Sequence, residues 1–238
     1  MIELDDVLVT AYSPDPAGGA DHVVRLLGPI TLRLTERRIA IVGANGSGKS
    51  TLARLLNGLV LPSSGTVRVE GLDTADDGRA VRRRVGFVFT NPDAQIVMPT
   101  PLEDVALSLR RLDLLPDERD TAARAALARF GLADRAEAPA HVLSGGQRQL
   151  LALASVLAVE PDVLVCDEPT TLLDLRWRTV VDDLLDGLDQ QVVVVTHDLD
   201  AAARADRVLV VDDGRIVFDG DPAAAVAHYR ALMAGSLA

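Results

Sequence analysis

The sequence predicts an α/β fold: a parallel sheet flanked by helices, joined by an antiparallel β lobe and carrying an inserted helical lobe. Three observations carry that prediction. Short aliphatic, β-branched runs alternate with helical stretches along most of the chain. Strands separated by helices imply a parallel sheet with ligands at the strands' carboxyl ends. One strand runs straight into a glycine-rich stretch, GANGSGKST at 43–51. Lastly, from 101 to about 135 the pattern is helical, rich in alanine, leucine and arginine, with no strand candidate.

Taken in order, residues 7–10, 23–27 and 30–34 read as strands of the antiparallel lobe, the first two joined by the turn-rich SPDPAGGAD at 13–21. Residues 37–42, RRIAIV, form a buried strand feeding the glycine loop, and 50–59 read as a helix. A strand at 66–70 precedes a polar turn, and 85–89 is a further strand. Beyond the helical stretch, 148–159 is a helix whose leucine stripe faces the core. Two βα units follow, 163–166 before a helix from about Arg176 and 192–195 before 199–204. A hairpin, 208–211 with 216–218, and a helix from Pro222 complete the pattern. There is no internal repeat and no low-complexity linker, so 1–238 reads as a single domain with a helical subdomain at approximately 92–160.

Composition narrows the function. Hydrophobic residues make up 48% of 238, enough for a full core and too many for a disordered chain. The formal net charge of -11 opposes binding to nucleic acid or anionic lipid, which needs a positive field. The local exception, Arg82-Arg83-Arg84, reads as a solvated helix face. Cys166 is the single cysteine, which rules out an internal disulfide; it reads as a small buried strand residue. The chain opens without a basic, apolar signal segment, and its longest apolar stretch, 150–159, is too short to span a bilayer. The expectation is a cytoplasmic protein that needs a spanning partner for any work at a membrane.

The glycine stretch fits G-x-x-x-x-G-K-[ST]. In that pattern the backbone of Gly43, Ala44, Asn45, Gly46, Ser47 and Gly48 bends so that successive N–H groups face phosphate oxygens. The helix that follows Lys49, beginning at Ser50 and Thr51, adds its positive end. Ser50 places a hydroxyl where Mg²⁺ bridging β- and γ-phosphates would sit. Lys49 is the only lysine beside 23 arginines. An ammonium is a compact point charge on a thin stem, whereas a guanidinium is a wide planar fork. Lysine therefore persists where only its shape passes beneath a tight loop.

Two further motifs follow. Leu143-Ser144-Gly145-Gly146-Gln147 precedes a helix and can bind an anion through Ser144 and free N–H groups. The strand VLVCDE ends in two carboxylates. Asp167 can hold Mg²⁺ through water, and Glu168 can orient an attacking water and take its proton. In this order the motifs resemble the ATP-binding-cassette (ABC) ATPases over nearly the whole chain, LSGGQ being the most specific. The resemblance implies a P-loop NTPase (RecA-like) core with an antiparallel β subdomain and an inserted helical subdomain, hydrolysing MgATP. It implies that Lys49 and the switch histidine His197 contact the γ-phosphate end. It also places Asp174 in the loop crossing a dimer interface and stacks Tyr12 on adenine. The LSGGQ of one chain would close over ATP held by another, so a second cassette, identical or a paralogue, is implied.

The segment 85–109, VGFVFTNPDAQIVMPTPLEDVALSL, resembles the corresponding loop of energy-coupling-factor (ECF) importers, and QIVMPT the biotin-transport ATP-binding subunits within that group. That implies a polytopic transmembrane coupling subunit, a substrate-binding membrane subunit, and peripheral attachment to the inner face of the membrane. The groove between core and helical lobe, lined by 90–100, would receive the coupling segment. One departure stands out. Thr90 occupies the place of a glutamine that contacts Mg²⁺, with Asn91 and Gln95 as substitutes. The rival readings are another ABC transporter, including cobalt or nickel uptake, and a soluble ABC ATPase of DNA repair, iron–sulfur assembly or ribosomes. The net charge and the single cassette oppose the soluble ATPase. His22, His141 and His228 lack metal-ligand spacing, and Trp177 reads as a packing residue.

Overall fold

The structure is a computed structural model and describes residues 1–13 and 22–235. The turn expected at 13–21 lies, apart from Ser13, outside the described residues. Two sheets organise the chain. The first is antiparallel, with strands β1 (Ile2–Ser13), β2 (His22–Leu34), β4 (Ser64–Val69) and β5 (Leu72–Asp73) in the order β2-β1-β4-β5. The second contains β3 (Arg38–Gly43), β6 (Val85–Val88), β7 (Val163–Asp167), β8 (Gln191–Val195), β9 (Arg207–Asp212) and β10 (Arg215–Gly220). Its order is β10-β9-β3-β8-β7-β6; the pairings from β9 to β6 are parallel, and β10 pairs antiparallel with β9.

Strand alternation fixes what lies on each face of the parallel sheet. Ile39, Ile41, Val163, Val165, Val193, Val195, Leu209 and Val211 point to one side, into a core shared with the antiparallel sheet and helix α1 (Lys49–Leu55). Leu164, Cys166 and Val192 point to the other side, against the helices inserted between β6 and β7 and against α6 (Leu175–Asp186). The inserted helices are α3 (Pro101–Ser108), α4 (Pro116–Arg129) and α5 (Gly145–Leu157). Ala40 and Val42 pack beside α7 (Leu199–Ala202) and α8 (Pro222–Gly235). Cys166 is fully buried, and burial pushes its thiol pKa far up, as an inert packing residue requires.

Several elements differ from expectation for identifiable reasons. The strands expected at 23–27 and 30–34 are one strand, β2, because a bulge absorbs Gly28-Pro29. Val7 faces Ile30 while Val9 faces Leu27, so the ladder gains a residue and continues. Helix α1 stops at Leu55, where Leu56 N bonds Ala53 O and Gly58 N bonds Leu55 O in a tightened last turn. Helix α5 starts at Gly145, three residues before Arg148, because Ser144 caps it there. The polar turn expected after β4 holds β5 and a helix, α2 (Gly78–Arg84). Only Val81 of α2 is buried, so it has no apolar stripe to betray it. Arg82–Arg84 form its last turn, where positive charge suits a helix end.

One buried carboxylate ties the inserted lobe together. Asp104 is 4% exposed; its Oδ1 accepts from Val97 N at 2.9 Å and Met98 N at 3.2 Å, and its Oδ2 from Ser155 Oγ at 2.8 Å. Asp104→Ala leaves three donors without their acceptor, the buried Ser155 hydroxyl and the part-buried N–H groups of Val97 and Met98. The expected cost is about 3 kcal/mol. For a domain of this size that lowers the melting temperature by roughly 6–12 °C, read by thermal denaturation.

Candidate nucleotide site

Because the sheet is parallel from β9 to β6, the carboxyl ends of β3, β6, β7 and β8 share one edge. Asp167 lies level with Val195, and Gly43 with Val211. The loop 43–48, the Asp167–Glu168 pair, Thr90 and His197 therefore issue side by side, at the edge where open α/β sheets bind ligands.

In the loop, Gly46 and Gly48 take φ of +81° and +104°. Gly48 also leaves little room for a side chain, since a Cβ there would sit 3.0 Å from the Leu26 carbonyl oxygen. Lys49 is 5% exposed, and its ammonium donates to Gly43 O and Ala44 O, both at 2.8 Å. The loop thus wraps around the lysine stem. Burial lowers the Lys49 pKa, and the carboxylates of Glu168 and Asp167 counter that shift. The Ser47 hydroxyl is buried with no hydrogen-bond partner among the described residues, an unused donor that suits an anion-holding loop.

Ser50 Oγ donates to Asp167 Oδ1 at 2.9 Å, and Thr90 Oγ1 donates to the Asp167 carbonyl at 2.8 Å. Burial raises the Asp167 pKa; the Ser50 bond and Arg54, with Nη2 3.6 Å from Oδ2, oppose the rise. Glu168 adopts φ of +53°, a left-handed conformation costing a bulky residue about 1–3 kcal/mol. Its N–H donates to Val195 O at 2.9 Å, fastening this peptide to β8. Its Oε2 accepts from Thr171 Oγ1 at 2.9 Å and lies 3.3 Å from His197 Nδ1. Backbone strain held at a strand end beside a histidine is typical of a working site.

Lys49, Ser50, Thr90, Asp167, Glu168 and His197 are thus brought together. Asn91 and Gln95 serve their own loop: Asn91 Oδ1 accepts from Asp93 N at 3.0 Å, and Gln95 Oε1 from Phe89 N at 3.1 Å. The cavity over the phosphate loop is lined by Asn45, Gly46, Gly48, Lys49, Ser50 and Thr51 of the loop and α1, with Glu168. Its other wall is Val24–Leu26 of β2 and the Asp213-Gly214 turn between β9 and β10. Sequence reasoning missed that wall. Gly214 N donates to Ser47 O at 2.9 Å and Gly28 N to Gly214 O at 2.7 Å, so the turn straps the phosphate loop to β2. Asp-Gly marked the turn; its place over the loop follows from β9 pairing with β3, which only the topology reveals.

The remaining expected residues do not line this cavity. Tyr12, near the end of β1, is 79% exposed. Asp174 caps α6, accepting from Trp177 N at 3.0 Å. Leu143 and Ser144 immediately precede α5, with Gly145, Gly146 and Gln147 in its first turn. Ser144 Oγ accepts from Gln147 N, and Gln147 Oε1 accepts from Ser144 N at 2.9 Å, a reciprocal cap. Trp177 packs on this turn: a Cβ on Gly146 would lie 2.1 Å from its ring. Gly146→Ala therefore forces the signature turn off the indole. The expected results are loss of ATP-driven pairing of cassettes in sedimentation and destabilisation of about 1–3 kcal/mol. Trp177→Leu in the same chain should restore much of the pairing.

Comparison with known proteins extends this geometry. Residues 28–171 match the family described as ABC transporter. The biotin transport ATP-binding protein BioM of Rhizobium etli is 46% identical over 208 residues, spanning 87% of this chain and 92% of that protein. The energy-coupling factor transporter ATP-binding protein EcfA1 of Lactiplantibacillus plantarum is 43% identical over 200 residues, 82% of this chain and 71% of that one. Among solved structures, a dimeric post-hydrolysis state of the ATP-binding cassette MJ0796 with ADP and Pi superposes with a TM-score of 0.81. It is 30% identical and covers 93% of this chain and 99% of that one. Glycine phosphate loops and DE strand ends occur separately in many folds, but together with a family match through both of them they leave one assignment: the chain belongs to the ABC transporter family.

Proposed function

We propose that this chain is the ATP-hydrolysing subunit of an ECF-type importer for biotin or a related vitamin. It pairs with itself or a paralogue and docks, at the inner face of the membrane, on a polytopic coupling subunit that accompanies a substrate-binding membrane subunit. One observation carries the ATPase reading: Lys49, Ser50, Asp167, Glu168 and His197 converge on one sheet edge. The importer reading is supported by the likeness to BioM and EcfA1. No helix among the described residues is long and apolar enough to cross a membrane, so other chains would supply the spanning part.

In this reading the loop N–H groups and Lys49 hold the phosphates of ATP, and Tyr12 packs on the base. Ser50 and Asp167 offer hydroxyl and carboxylate oxygens 2.9 Å apart, the hard donors Mg²⁺ prefers. No group of three or more His, Cys, Asp or Glu that could cage a metal occurs among the described residues, so phosphate and water oxygens would complete the shell. Bound there, Mg²⁺ would neutralise charge on the β- and γ-phosphates. Thr90, already bonded to the Asp167 carbonyl, holds that peptide in place and is the weaker ligand. Glu168 orients water and accepts its proton, and His197 steadies the Glu168 carboxylate and reaches the γ-phosphate. The second cassette adds Leu143–Gln147 and the Asp174 loop from across the interface. The coupling segment seats in a cavity of ≈ 260 Å³ lined by Phe87, Gln95, Val97 and Arg111.

The test is affinity capture of a tagged Glu168→Gln chain from gently solubilised native membranes with ATP. Two polytopic proteins and bound biotin, identified by mass spectrometry, are expected. Soluble partners alone would remove the importer reading and leave the ATPase.

A further inference from the structure

Arg148, the residue after the signature peptide, has no role in the account above. Its Nη1 donates to the Leu143 carbonyl at 2.5 Å, so the side chain folds back over the signature. Its Nε lies 2.8 Å from Asp93 Oδ1. Asp93 sits in a single 3₁₀ turn, Pro92–Ala94, capped by Asn91 and pinned to the end of β6 through Gln95 and Phe89 N. The same loop begins at Thr90, bonded to the Asp167 carbonyl. A series of short contacts and covalent links therefore runs from Asp167 through Thr90 and Asp93 to Arg148 and Leu143.

The ion pair stands in the wall of a surface cavity, with Ile96, Met98, Pro99 and His141 around it. The far end of the loop is tied to the segment before the signature by backbone bonds, Ala140 N to Pro99 O at 2.7 Å and Leu102 N to Ala136 O at 2.9 Å. The near end reaches the first turn of α5 through Asp93 and Arg148. The side chains are 60% and 28% exposed. Asp93 is mostly exposed, whereas the Arg148 Nε beside it is buried and makes no hydrogen bond among the described residues, so the contact is one of charge without hydrogen-bond geometry. Such a pair adds little to stability, and what it can contribute is position.

We infer that the Asp93–Arg148 pair is a positioning latch that sets the orientation of the Leu143–Gln147 peptide relative to the loop 90–100. It rests on the paired-cassette reading given above. A membrane partner pressing on that loop moves Asp93, and Arg148 carries the movement to the signature that faces the second cassette's ATP. Arg148 and Asp93 are positioning residues; neither touches the nucleotide held by its own chain.

The test uses the full chain in a Glu168→Gln background and follows ATP-driven dimerisation by sedimentation. Asp93→Arg and Arg148→Asp are each expected to weaken dimerisation at least about tenfold. The melting temperature should stay within about 3 °C for Asp93→Arg, as for an exposed pair, and fall by no more than about 6 °C for Arg148→Asp, which also loses the Leu143 bond. Fluorescent-nucleotide affinity of the monomer should stay within about twofold, because neither residue lies in the phosphate loop. The double reversal, Asp93→Arg with Arg148→Asp, should dimerise better than either single change, since opposite charges meet again, but less well than the parent, because a carboxylate at 148 cannot donate to the Leu143 carbonyl. Asp93→Asn, which only removes charge, and Arg148→Gln, which removes charge and reach, replace any reversal that does not fold. Arg148→Lys, which keeps the charge but has one nitrogen in place of the Nε and Nη1 that meet Asp93 and Leu143, should fall between the parent and Arg148→Gln. Single changes without effect, or a double reversal worse than either single, would overturn the latch while leaving the paired cassette intact. A parent that fails to dimerise with ATP would remove the paired cassette itself, and the latch with it.

Discussion

Glu168→Gln is expected to lower steady-state ATP hydrolysis by at least about 100-fold, because it removes the proton acceptor while keeping the side chain's shape. The change is local. The Glu168 N–H bond to Val195 O is a backbone bond and survives, and the glutamine carbonyl can still accept from Thr171 Oγ1. The left-handed backbone at φ +53° is retained too, so the peptide that presents Asp167 stays in place. ATP affinity and thermal stability should therefore hold, and the ATP-bound pair of cassettes should accumulate instead of turning over. Phosphate release measured beside sedimentation separates the two effects. Hydrolysis within tenfold of the parent would show that Glu168 is not the general base. His197→Ala should also reduce turnover, but by less, since His197 stands 3.3 Å from Glu168 and is half exposed.

How far this site could be read in advance depended on how local each signal was. The phosphate loop and the DE strand end are contiguous residues whose chemistry explains their spacing, and the structure puts both on one edge. The strap across the loop could not be read that way. Gly214 lies 167 residues from Ser47 in the numbering (214 minus 47), and their bond exists because β9 lies beside β3. Helix α2 was legible only as the solvated face of Arg82–Arg84 for a different reason: it buries a single residue, so no periodicity marks its extent. The two-strand reading of β2 failed because Gly-Pro is a breaker in most contexts, and here a bulge absorbs it. Trp177 was legible as a packing residue, but that it packs on Gly146 of the signature was not. The contact is between residues 31 positions apart (177 minus 146), on two helices separated by β7.

Lys49→Arg tests whether the single lysine is a matter of shape. Lys49 is 5% exposed, and its ammonium sits between the Gly43 and Ala44 carbonyls at 2.8 Å each, beneath a loop that cannot retreat. At Gly43 even a Cβ would come within 2.1 Å of the Val211 carbonyl oxygen, so β9 blocks outward movement. A guanidinium is wider than the gap the ammonium fills, and its planar fork fixes donor directions that do not suit two carbonyls on one curled strand. Charge is not what changes: arginine keeps the cation that Asp167 and Glu168 face. Lys49→Arg is therefore expected to reduce kcat/KM for ATP by at least about 100-fold, equivalent to about 2.7 kcal/mol. Overpacking should also cost about 1–3 kcal/mol of stability. Lys49→Met supplies the comparison, since it keeps a thin stem and removes the charge. If shape decides, arginine should be as damaging to nucleotide affinity as methionine, and more damaging to the melting temperature. Near-normal hydrolysis by Lys49→Arg would instead mean that charge alone suffices, and that a chain with 23 arginines keeps its one lysine for some other reason.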